Sequence, residues 1–82
     1  MILVDVVCPE LNRTLDFQLD ENARGWEIAE EIAAMAARSS GRSFQPNREE
    51  IQLYSMETSR KLDLNRSLQE NNIHSGEKLL FV

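Results

Sequence analysis

Cys8 and His74 are the only side chains of their kinds in the 82 residues, so nucleophilic or metal chemistry would have to start from them. A thiol nucleophile needs a base within reach and a third group to orient that base. A metal site needs several thiolate, imidazole or carboxylate ligands brought together. One cysteine and one histidine near opposite ends of the chain complete neither set, so Cys8 reads as a satisfied side chain and His74 as a loop residue. The acid pairs Glu30-Glu31 and Glu49-Glu50 read as solvated surface, because adjacent helix residues do not share a face. Three scattered glycines make no phosphate-cradling loop. Arg38, Arg42 and Arg48 gather around one loop and read as cations balancing a helix end rather than as an anion site. Trp26 has two readings, a partner anchor or a side chain packed over the first helical turn. The inventory predicts a non-enzymatic protein with no cofactor and no metal, which directs attention to binding.

Composition narrows the partner. Nine basic against fourteen acidic residues leave a net charge of −5, which argues against nucleic acid, where binding rests on a basic footprint. No apolar run approaches the roughly 20 residues of a membrane helix. The opening Met-Ile-Leu-Val-Asp has neither the basic region nor the cleavage site of a signal peptide. A lone cysteine excludes an intrachain disulfide and fits a reducing compartment. The expectation is a cytoplasmic protein of a single domain, residues 1–82, with a protein partner and no direct insertion into a membrane. A chain of this length buries only about 60–65% of its extended surface.

The elements that must position any binding residue follow from periodicity. Ile28, Ile32, Met35 and Ala36 line one face of a helix predicted over residues 25–40. Asn22, with Asp20 and Glu21 beside it, supplies the start signal. Ser39-Ser40-Gly41 supplies the stop, with Gly41 in the left-handed conformation. Ile2 to Val7 predicts a strand with Ile2, Val4 and Val6 inward and Leu3, Asp5 and Val7 outward. Pro9 to Asn12 turns the chain into a second strand, where Leu15, Phe17 and Leu19 share the inner face. Phe44 is expected to plug the end of the core, and Pro46 prevents regular structure around it. Ile51 to Met56 predicts a third strand, Lys61 to Asp63 a short edge strand, Leu64 to Leu68 a helical turn, and Lys78 to Val82 the last strand with Leu79 and Phe81 inward. Ile73 adds a further core residue. The order β-β-α-β-β-β defines an α+β roll: a mixed sheet with one main helix and one sheet face left bare.

Leu62, Arg66-Ser67-Leu68, Asn71-Asn72-Ile73 and Gly76-Glu77-Lys78-Leu79, in that order, resemble the second half of ubiquitin-like β-grasp domains. The hairpin and helix of the first half agree in length and apolar spacing. Within that superfamily the chain looks most like the YukD/EsaB group, the small bacterial ubiquitin-like proteins of type VII secretion. The resemblance rests on size, the Met1 start, the Asn12-Arg-Thr-Leu-Asp-Phe-Gln-Leu19 strand and the Gly76-Glu-Lys-Leu-Leu-Phe-Val82 ending. It implies a cytosolic accessory or regulatory role in secreting small helical-hairpin substrates, with no catalytic residues. Conjugated modifiers and sulfur carriers act through a terminal Gly-Gly, and the ending at Phe81-Val82 departs from that pattern. The other readings are a modifier or carrier acting through its C-terminus, or a ubiquitin-like domain of a larger membrane component.

Alternation then nominates the binding residues. If Asp5 and Asp16 face water, Leu3, Tyr54, Leu80 and Val82 share their side of the sheet. In ubiquitin-like strand order these four become neighbours in an apolar patch that marks an interaction surface. The expected partner is a secretion component or a second copy of the chain.

Overall fold

A computed structural model describes residues 1–41 and 51–82, the side chains of Ser39 and Ser40 excepted. Phe44, Pro46, Arg42, Arg48 and the Glu49-Glu50 pair lie outside the described residues. Strands β1 (Ile2–Cys8) and β2 (Arg13–Leu19) form an antiparallel hairpin, followed by helix α1 (Gly25–Ser40). Strands β3 (Leu53–Ser55), β4 (Arg60–Lys61) and β5 (Lys78–Phe81) complete the chain. The sheet order is β2-β1-β5-β3-β4, with β1 and β5 parallel at the centre and the other pairings antiparallel. A 3-10 turn over Pro9–Leu11 closes the hairpin, and Asn12 takes the left-handed conformation at φ 52° to end it.

Strict alternation puts Val4, Val6, Cys8, Phe17, Leu19, Leu53, Leu79 and Phe81 on the inner sheet face, where they pack with Ile28, Ala29, Ile32 and Ala33 of α1. Ile2 and Leu15, also expected inward, are half-buried at the margin of this core. Leu62, Leu64, Leu68 and Ile73 fill its end, supplied by a loop rather than by the helical turn expected at 64–68. Alanines within the buried stripe keep the helix close to the strands.

Two expectations for the helix are corrected. Met35 does not face the core but is 40% exposed. The buried stripe runs through Ile28, Ala29, Ile32, Ala33 and Ala36, centred on the alanine side, which leaves Met35 at the stripe's margin. Asn22 is not the cap: the helix starts after Arg24, with no side-chain cap. Asn22 lies in a turn, its N–H bonded to Asp20 Oδ1 at 2.9 Å. The open first-turn donors go to backbone instead, Gly25 N–H to Arg66 O at 2.8 Å and Trp26 N–H to Leu64 O at 3.0 Å, meeting the demand of a helix end for acceptors. That contact explains a glycine at the helix start, since a Cβ on Gly25 would stand 2.7 Å from Leu64 Cα. At the other end Gly41 closes the helix with φ 68°, as expected.

The loop that receives the helix start is held by short polar side chains. Ser67 and Glu70 form a reciprocal box, Ser67 N–H to Glu70 Oε1 and Glu70 N–H to Ser67 Oγ, each at 3.0 Å. Those bonds hold the Glu70 carboxyl below its ordinary range. Asn71 ties the loop together, its amide donating to Asp63 O and Ser67 O and its oxygen accepting from Asp63 N–H.

Candidate protein-binding face

The sheet face opposite α1 carries no element among the described residues, and its side chains form cross-strand rows set by the register. One row runs Thr14, Val7, Leu80, Tyr54, Lys61 across all five strands. The next runs Asp16, Asp5, Lys78, with Met56 beyond, its N–H bonded to Lys78 O at 3.0 Å. On the other side of the Leu80 row, Val82 and Gln52 exchange backbone hydrogen bonds of 3.0 and 2.8 Å.

Three of the four nominated residues therefore meet. Leu80 lies beside Tyr54 on the neighbouring strand, and Val82, just past the end of β5, follows Leu80 on the same face. Leu80 and Tyr54 are half-buried and Val82 is 50% exposed. Tyr54 is braced by its hydroxyl, which donates to Gln52 Oε1 at 2.7 Å. Leu3 does not join them. It is 60% exposed and pairs with Gln18, with the Asp5 row standing between it and Leu80. The residue on β1 that does touch the Leu80 row is Val7, which pairs with Leu80 directly. Alternation already placed Val7 on this face, but only the β1–β5 register shows which outward residue of β1 reaches the patch.

The flank of the patch is acidic. Asp5 and Asp16 are direct cross-strand partners, and the hydrogen bond and charge of Asp5 raise the Asp16 carboxyl above its ordinary range. Among the described residues Lys78 and Lys61 are the cations in the rows of the same face, on β5 and β4. A small groove of about 260 Å³ lies beyond the β4 edge, lined in part by Arg60, Asp63, Glu70 and Asn72. Its carboxylates are already engaged, Asp63 with Asn65 N–H and Arg66, Glu70 with Ser67.

Trp26 packs against the core from the first helical turn, and its indole N–H donates to Asn65 Oδ1 at 3.1 Å. The structure thus gives it a place bracing the helix start against the 64–67 loop. Cys8 is buried at the end of β1, where burial pushes its thiol up and disfavours the thiolate. His74 is exposed in the loop before β5. Among the described residues no three His, Cys, Asp or Glu side chains gather as metal ligands, and no helix is long and apolar enough to cross a membrane.

Glu77 is a polar residue that sequence reasoning did not single out. Its side chain is buried, accepting from Ser55 Oγ at 3.4 Å and from the His74 N–H. Ser55, itself buried, also accepts from Thr58 N–H. A carboxylate taken out of water is tolerable only with such donors, and here they fasten the loop entering β5 to the end of β3. β5 begins one residue later, at Lys78, and although Glu77 continues the inward alternation of Leu79 and Phe81, a carboxylate is not read as a core residue.

Solved structures place this architecture. The ubiquitin-like domain of an Arabidopsis thaliana protein superposes with a TM-score of 0.75 at 20% identity, covering 99% of this chain and 74% of that one. Caldiarchaeum subterraneum ubiquitin gives 0.73 at 15% identity, covering 98% and 89%. A computationally designed protein based on a human ubiquitin template gives 0.71 at 26% identity, covering 100% and 90%. No protein-family model matches the chain, and no curated protein sequence does. The fold is the ubiquitin-like β-grasp, an α+β sheet with one main helix.

Proposed function

We propose that the chain is a non-catalytic interaction module that binds a protein non-covalently through the bare sheet face. The observation that carries this reading is the row Val7, Leu80, Tyr54 with Val82 beside it, an apolar surface on three adjacent strands that no described element covers. Apolar side chains scattered singly over a surface would mean little, whereas a contiguous set marks a contact site. The ubiquitin-like fold supports the role of a module, since it offers a rigid sheet on which such a patch is held in fixed geometry. The cellular setting proposed is an accessory or regulatory component of bacterial type VII secretion, acting in the cytosol. Its support is the ordered set of sequence resemblances running from Asn12 to Val82.

The test is genetic and then local. Deleting the gene in the native host should reduce export of small helical-hairpin substrates, and the wild-type chain should restore it. A Leu80→Ser chain, which loses apolar area without a change of charge, should fold and fail to restore export. Undiminished export after deletion would remove the secretion setting. Full restoration by Leu80→Ser would remove the sheet face as the working surface.

A further inference from the structure

We infer that the partner of this face is a polypeptide segment that sets a basic side chain against Asp5 and Asp16 while its apolar residues cover Val7, Leu80 and Tyr54. The inference rests on the sheet face being the docking surface and adds the chemistry of what docks there.

The register makes the two carboxyls immediate neighbours on the face, one row from the apolar strip. Like charges directly opposite across a strand pair destabilise a sheet, and the fold does not relieve them. Lys78 lies beside Asp5 in the β1–β5 pairing, yet among the described residues neither aspartate forms an ion pair. The Asp16 carboxyl is held above its ordinary range by Asp5 directly opposite it. A guanidinium or ammonium group laid across both would supply the missing counter-charge, and the adjacent apolar row would shield that contact from water. Charge complementarity at longer range agrees, because a chain of net charge −5 attracts basic segments and repels acidic ones. The same repulsion disfavours a second copy of this chain as the occupant.

The experiment selects short random peptides displayed on phage against the full chain. Affinities of the recovered peptides are then measured for wild type, for Asp5→Asn/Asp16→Asn and for Leu80→Ser, with circular dichroism confirming that each variant folds. The asparagine pair should fold, since it relieves a repulsion. Recovered peptides should carry arginine or lysine next to aliphatic or aromatic residues and should shift the amide NMR signals of Asp5, Val7, Tyr54 and Leu80. The asparagine pair should weaken them about tenfold, the scale of one charge-assisted hydrogen bond, and Leu80→Ser should weaken them as well. If only Leu80→Ser weakens binding, or if the peptides lack basic residues, the charge inference is overturned while the docking face stands. If neither variant matters, if the shifts fall elsewhere, or if no peptide is recovered, both readings are overturned.

Discussion

The two faces of this sheet are built from the same strands and differ in everything else. On the inner side Val4, Val6, Leu53 and Leu79 are almost wholly removed from water. On the outer side their immediate neighbours Asp5, Val7, Tyr54 and Leu80 are only half-buried. A helix accounts for the first face and nothing among the described residues accounts for the second. The inner face is therefore where stability resides, and the outer face is free to carry a like-charge pair and an uncovered apolar row that a core would not tolerate.

The contrast breaks most visibly at the centre of the inner face. Ile32 is fully buried, and Ile32→Ala should cost roughly 2–5 kcal/mol in a urea titration. A loss near zero would mean that α1 presents a different side to the sheet. Next comes the seam where the helix start meets the 64–67 loop. Gly25→Ala improves helix propensity by up to about 1 kcal/mol, but the new methyl meets Leu64 backbone at 2.7 Å. Backbone does not give way as a flexible side chain would, so a net destabilisation of about 1–3 kcal/mol is expected, read as a lower denaturation midpoint. A rise in the midpoint would show that the loop yields easily.

The outer face should answer more weakly. Leu80→Ser should change stability by about 1 kcal/mol or less, while removing whatever binding the face supports. Unfolding by that single change would mean that the two faces are not separate in energy. The smallest effect should be a gain. Because Asp16 has its carboxyl raised in the fold, the native state holds its proton to higher pH than the unfolded chain does. Its penalty is thus present above the folded pKa and relieved as pH falls through that value towards the unfolded one. Asp16→Asn should raise the melting temperature slightly at pH 7, and the difference from wild type should vanish once the pH lies below the ordinary carboxylate range. A melting difference that stays constant with pH would point to some cause other than the paired charges.

Periodicity was enough for the main helix and the longer strands, though not for the 64–68 segment, because a strand alternates every second residue and a helix turns every 3.6, and both patterns are written in consecutive positions. The inward Val4-Val6 and Phe17-Leu19 pairs, the helix end at Gly41 and the sheet face that no described element covers were legible in this way. Local pattern could also have announced the Ser67–Glu70 box, a serine followed three residues later by glutamate. Met35 was misplaced because a period specifies which residues share a stripe but not where its centre lies. The centre is chosen by what the strands leave room for, and here small alanines fit closest. The helix cap was beyond reach for a related reason: its acceptors are the carbonyls of Leu64 and Arg66, and a backbone carbonyl has no letter in the sequence. The candidate face divides along the same line. Which residues point outward was settled by local alternation, but their neighbours were settled by the β1–β5 register. That register brings Val7 to Leu80 and leaves Leu3 on the far side of the charges, while the β1–β2 hairpin register sets Asp5 against Asp16. Residues distant in the chain become adjacent only when strands pair, so the composition of the patch and the charge at its border are properties of the tertiary structure.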